Sequence, residues 1–141
     1  MSSDVNEALR QLLLSDSNIA TAVGNTRVIN DQLPAKVVLP CIIYFEVSTD
    51  ISNSLTGIIG ASLSRYQVDA YASTRVAASK LQRMVARQLG AYIGKVDGYP
   101  LKTSRMSGER ADTDRPSLGS AGFRYIASID YQVLHFPFYQ A

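Results

Sequence analysis

Cysteine, histidine and charge are all scarce in this 141-residue chain. The single cysteine, Cys41, excludes an internal disulfide and a cysteine-built zinc site. It sits in an apolar run and reads as a buried structural thiol rather than a reactive one. The single histidine, His135, stands beside Phe136 near the chain end, where a partly exposed strand-end residue is expected rather than a catalytic base. Charged residues make up 18% of the chain and the formal charge is +2, too little for a general nucleic-acid binder. Any electrostatic role must therefore come from local clustering. No apolar run approaches the ~18 residues of a membrane span. The N-terminus carries acids where a signal peptide has a basic region, so none is expected. The Gly-x-Ser-x-Gly elbow, the P-loop, the dinucleotide fingerprint and the His-Glu-x-x-His helix are all missing, which excludes the enzyme classes they mark.

What is present is the composition of a folded protein. Hydrophobic residues reach 46%, and the length suits one domain over 1–141 with one core. No internal repeat or linker interrupts it.

The clearest signal is a strand running into a helix. In Arg65–Ala72, Tyr66, Val68 and Ala70 alternate with Arg65, Gln67 and Asp69, the period of a half-buried strand. Thr74–Tyr92 then carries Ala78, Leu81, Val85, Leu89 and Tyr92 at helical spacing, a stripe that can lie on the sheet. Before this unit, Val5, Ala8, Leu9, Leu12 and Leu13 form one face of an N-terminal helix, with Ser2–Asp4 as caps and Glu7 near the dipole's positive end. A second short helix is expected over Ile19–Val23, ending at Gly24. Strands are expected at Arg27–Ile29, Cys41–Ser48, Leu101–Met106 and Phe123–Phe136. The apolar Cys41–Ser48 run suggests cover on both faces, and Asp97–Pro100 reads as a turn. Long mobile loops are expected near 49–62 and 107–122. The sum is α+β: a four- to five-stranded, mainly antiparallel sheet, one long helix packed on a face and an N-terminal helical segment.

Two charge patterns are candidate contact sites. Lys80, Arg83 and Arg87 line the helix side opposite the apolar stripe, and no acid occurs between Thr74 and Tyr92. They form either a solvated face, the later arginines favoured by the helix dipole, or a contact for an acidic partner or passing DNA. The stretch after Met106 mixes signs: Glu109, Arg110, Asp112 and Arg115 suit ion pairing with a neighbouring copy. A third arrangement bears on catalysis. Glu46, Asp69 and Asp130 fall on three expected strands, and convergence on one face would let them hold a divalent metal for phosphodiester cleavage. The alternative is surface acids paired across strands with Arg65 or Arg124.

The order of parts carries a resemblance. Ala8–Leu14 is followed by Ile19–Gly24, Arg27-Val28 and Leu39-Pro40-Cys41-Ile42-Ile43-Tyr44. Then come Arg65–Ala72 and a helix with Ala77, Ala78 and Leu81. The pattern ends with Gly122-Phe123 and Asp130-Tyr131-Gln132-Val133. Across residues 5–135 this resembles the small tail-completion proteins of tailed bacteriophages, also called tail-terminator or tail-to-head joining proteins. The resemblance implies a structural virion protein that forms a homo-oligomeric, hexameric ring at the head-proximal end of the tail tube. Such a ring ends tube polymerisation and joins the tail to the head-connector or stopper protein, while DNA passes through its lumen without sequence specificity. It implies no enzyme activity, no cofactor and no membrane partner, and a place in the virion tail neck after assembly in the host bacterial cytoplasm. Lys80, Arg83, Arg87, Glu109, Arg110, Asp112 and Arg115 are then the expected ring or partner contacts. Other readings stay open beside it: another head–tail connector or tube component, a metal-dependent nuclease, or a small nucleic-acid-binding module.

Overall fold

A computed structural model of the chain describes residues 4–32, 38–51, 62–114 and 124–135. Helix α1 (Val5–Leu14) begins where the Asp4 carboxylate accepts the Glu7 N–H at 2.9 Å, and it buries Val5, Ala8, Leu9, Leu12 and Leu13. Helix α2 (Ser17–Ala22) is capped by Asp16, which accepts from the Asn18 and Ile19 N–H groups. It stops where Gly24 takes a φ of 62°, the left-handed conformation glycine enters without a Cβ penalty.

Strands β1 (Val28–Asn30), β2 (Cys41–Ile51), β3 (Ser62–Ala72) and β7 (Arg124–His135) lie side by side. The β1–β2 pair is parallel, and the β2–β3 and β3–β7 pairs are antiparallel. The outer edge of β7 is shared end to end. Strand β5 (Tyr99–Arg105) pairs with Tyr131–His135, and β6 (Arg110–Asp114) pairs with Arg124–Ser128. Strand β4 (Ile93–Val96) closes the far side against β5.

The sheet among the described residues therefore has seven strands, not four or five. The two additions are β4 and β6. Strand β6 occupies part of the stretch expected to be a loop. Its sequence, Arg-Ala-Asp-Thr-Asp, has no large apolar side chain to mark a buried face and two strand-disfavouring aspartates, and the β7 backbone supplies its pairing. Strand β4 is short and interrupted by Gly94. It exists through a hairpin in which Asp97 and Gly98 both take positive φ, the two-residue turn that matches strand twist. That turn is tighter than the expected Asp97–Pro100, and Tyr99 and Pro100 already belong to β5. Residues 52–61, 115–123 and 136–141, which hold most of the expected loops and the aromatic tail, lie outside the described residues.

Helix α3 (Arg75–Leu89) starts at Thr74, whose hydroxyl accepts the Ala77 N–H. Leu81, Val85 and Leu89 enter one core with Tyr66, Val68 and Ala70 of β3 and Ile129, Tyr131 and Val133 of β7. At the start of α3, Ala78 meets Ala72 and Ala127, small side chains that let helix and sheet approach closely. Leu9, Leu12 and Leu13 of α1 share the main core, and Gln88 ties the helices together by donating to the Leu12 carbonyl at 2.8 Å. At the other end of α3, a Cβ on Gly90 would stand 2.4 Å from the Ala86 carbonyl oxygen, so no side chain fits there without a shift.

Strand β2 departs from its expected cover on both faces. Cys41–Tyr44 are buried, but Glu46–Thr49 are exposed. The register against β3 shifts between Glu46 and Ser48, leaving Val47 as the extra residue of a bulge.

Candidate interaction surface

The seating of α3 decides which way its charges point. Leu81, Val85 and Leu89 face the sheet, so Lys80, Arg83 and Arg87 are exposed on the opposite side. None of the three makes a hydrogen bond or ion pair with a described residue.

Gln82 is the residue of α3 that the apolar spacing missed. It is completely buried, and its Nε2 donates to the Val68 carbonyl at 2.7 Å and the Ala127 carbonyl at 2.6 Å. Its Oε1 accepts the Tyr131 hydroxyl at 3.1 Å. One amide thus fastens α3 to both central strands, and its whole polar end is satisfied. The only trace in the sequence is its position next to Leu81 and three before Val85.

The mixed-charge stretch is bound to its own subunit. Glu109 Oε2 accepts the Ser79 hydroxyl at 2.8 Å. Arg75 donates to Thr113 Oγ1 at 2.9 Å and lies over the Tyr125 ring, 5.2 Å from its centroid. Arg110 donates from Nη2 to Asp130 Oδ1 at 2.8 Å and from Nη1 to Ser107 Oγ at 3.2 Å. Asp112 is exposed, and its Oδ1 accepts the Thr113 N–H. Arg115 lies outside the described residues. The expected contacts are therefore split: the helix stripe is free of contacts to described residues, while Glu109 and Arg110 hold β6 to α3 and β7.

Asp130 is the hub of this region. Arg65 donates from Nε to its Oδ2 at 2.9 Å, and Arg65 Nη2 contacts the same oxygen. The Asp130 side chain is 3% exposed and each arginine side chain 47%. Burial would raise the Asp130 pKa, but the hydrogen bonds from Arg110 and Arg65 outweigh it and hold the carboxyl below its ordinary value. The cross-strand pairing with Arg65 is the one anticipated from the sequence.

The three acids considered for metal binding do not meet. Asp69 pairs in register with Ser128 and Asp130 with Gln67, placing both on the sheet face away from the helices. Glu46 pairs with Tyr66 and shares the helix side, where the Tyr66 hydroxyl approaches its Oε2 at 3.5 Å. Alternation within β2 separates them, and Asp69 is engaged by Ser128 and Gln67. Among the described residues no three histidine, cysteine or acidic side chains are grouped to hold a metal ion.

His135 is buried, 4% exposed, rather than a partly exposed strand end. It pairs with Leu101 of β5 and Ser62 of β3, so strands flank it on both sides. Its Nε2 lies 2.8 Å from Ser64 Oγ and its Nδ1 3.1 Å from the Tyr99 hydroxyl. Burial lowers its pKa, against the opposing pull of Glu46. Cys41 is buried as expected, its thiol pushed up to about 11 by burial, which disfavours the reactive thiolate. No described helix is long and apolar enough to cross a membrane.

Comparison with known proteins adds a family. A family model described as tail completion protein gp17 matches residues 7–129. Among solved structures, a chain from the virion of a native gene transfer agent particle is similar with a TM-score of 0.61 and 14% identity, covering 93% of this chain and 94% of that one. A second solved structure is similar with a TM-score of 0.51 and 18% identity, covering 100% of this chain and 99% of the other. At these identities the likeness is one of fold. No curated protein matches the chain.

Proposed function

The chain belongs to the tail completion protein gp17 family, and from that premise we propose that it forms a ring at the head-proximal end of a phage tail tube. It is a structural tail protein of a phage-type particle; the ring, the end of the tube and the joint to the head connector are the finer reading. The observation that carries it is the family match across residues 7–129, most of the chain. In this reading the whole chain acts as one domain, copies of it associate as a hexamer, and DNA passes through the lumen. The ring contacts the tube protein on one side and the connector or stopper on the other, in the virion neck, after assembly in the host cytoplasm.

The surface supports contact roles of two kinds. Lys80, Arg83 and Arg87 offer three charges with no ion pair among the described residues, on one helix, suited to an acidic neighbour. Glu109 and Arg110 act indirectly, by fixing the strand that presents Asp112 and leads to Arg115. Such a heterologous contact, repeated by rotation, closes into a ring.

Electron microscopy of particles assembled without this chain tests the reading. Filled heads lying apart from tails, with tails of irregular length, are expected. Intact particles with tails of normal length would remove the proposal.

A further inference from the structure

The sheet has a second face that the helical core does not use. The residues that the two central strands give to that core come from one side: Tyr66, Val68 and Ala70 on β3, with Ile129, Tyr131 and Val133 on β7. The pairs Leu63–Leu134, Arg65–Gln132 and Gln67–Asp130 project from the other side. Two adjoining grooves of about 180 and 140 Å³ cross it, and Leu63 and Gln132 line both. Met106 and Arg65 border the first, and Lys102 and Leu134 border the second. None of the described lining residues is acidic or aromatic.

The cation at one end is pre-positioned. Arg65 is clamped by Asp130, whose carboxylate is shared with Arg110, so one buried negative charge holds two guanidinium groups. The group carries a net positive charge, and Arg65 Nη1 has no partner among the described residues. A planar guanidinium held in this way loses little freedom on meeting a further carboxylate. Lys102 is exposed at the other groove and makes no contact with a described charged group. Leu63 and Leu134 stand in register beside Lys102, and Met106, 46% exposed, borders the first groove with Leu63 and Arg65.

We propose that this helix-free face binds an extended segment of a partner protein in which acidic side chains flank an apolar one. The apolar side chain seats among Leu63, Leu134 and Met106, and carboxylates reach Arg65 and Lys102. Nucleic acid fits less well: it needs a track of cations and aromatic platforms for its bases, and the described lining offers two cations and no ring. The site is complete within one copy, so it goes beyond the ring reading and does not depend on it.

The test uses the full chain and fluorescence anisotropy with three labelled probes. These are a short peptide alternating glutamate and leucine, the same peptide with glutamine for glutamate, and a single-stranded oligonucleotide. The glutamate peptide should bind, the glutamine peptide should bind more weakly, and added salt should weaken the first. Lys102→Glu should weaken the glutamate peptide by about fivefold or more, because attraction becomes repulsion at the groove rim. Met106→Glu should weaken it as well. Both positions are exposed, and an unchanged circular dichroism spectrum shows that the fold is kept. Failure of the glutamate peptide to bind at millimolar concentration overturns the proposal. So does an oligonucleotide that binds at least as tightly and is equally sensitive to Lys102→Glu. Self-association lost in Lys102→Glu, without peptide binding, overturns it in favour of a second copy.

Discussion

Replacing Gln82 with methionine should cost about 2–6 kcal/mol of stability, a large share of the roughly 5–15 kcal/mol typical of a domain. Methionine nearly matches glutamine in length and volume, so the change opens little cavity and isolates the polar loss. Two bonds from Nε2 to the Val68 and Ala127 carbonyls disappear. Each is worth about 0.5–1.5 kcal/mol net. The Tyr131 hydroxyl then stands without its acceptor on a residue that is 0% exposed. An unsatisfied buried group of this kind costs about 1–3 kcal/mol. Tyr131→Phe alone removes the hydroxyl and should cost less, about 1–2 kcal/mol, because Gln82 keeps both carbonyls. The double variant should be less destabilised than the sum of the two, with a coupling of about 1 kcal/mol. Urea unfolding measures each, followed by circular dichroism and by tyrosine emission, which is unobscured because the chain has eight tyrosines and no tryptophan. If Gln82→Met lies within about 0.5 kcal/mol of the parent at an unchanged m-value, the amide is not the fastener of α3 and the argument fails.

Other consequences follow from the same geometry. His135 is neutral in the fold and the unfolded chain protonates it first, so stability should decline as pH drops below the ordinary value of 6.5, by up to about 1.4 kcal/mol per unit until the lowered native value is reached. His135→Gln should flatten that part of the curve, and an identical slope in the variant would show that other groups carry it. Asp130 has the depressed-carboxyl sign: its contribution is full above the ordinary value of 3.8 and is lost as pH falls through its lowered native value. Asp130→Asn should cost about 1–2 kcal/mol at neutral pH, discounted because both arginines can rehydrate, and should blunt the acid limb of the unfolding curve. The triple change Lys80→Glu, Arg83→Glu and Arg87→Glu should shift the denaturation midpoint little, since these residues are exposed, yet reduce incorporation into particles. Normal incorporation on quantitative blotting would remove the helix stripe as a contact. Arg110→Glu should act differently, destabilising the free chain by placing a second carboxylate beside Asp130, and an unchanged unfolding midpoint would count against that assignment.

Legibility in the sequence followed the range of the interactions. Tyr66, Val68 and Ala70 could be assigned to the core from their alternation, because a strand's faces are set by a period of two whatever the neighbouring strands are. The caps at Asp4, Asp16 and Thr74 are similarly local, each serving a backbone N–H two or three residues ahead. Strand β6 was not legible, since Arg110–Asp114 has no large apolar side chain to mark a buried face and is a strand through pairing with residues 10–18 positions later. The candidate contacts divided in the same way. Lys80, Arg83 and Arg87 lie outward as helical spacing requires, whereas Glu109 and Arg110 look like surface charges until Ser79 and Asp130 are brought beside them.

The sequence by itself determined the α+β class, the apolar faces of α1 and α3, the lone buried thiol and the family. Each rests on local periodicity, composition or the order of motifs. Only the tertiary structure decided that Gln82 spans two strands, that His135 is enclosed, that Glu46 parts from Asp69 and Asp130, and that one carboxylate holds two arginines. Those outcomes depend on register between distant strands, and a shift of one residue would turn each side chain to the opposite face.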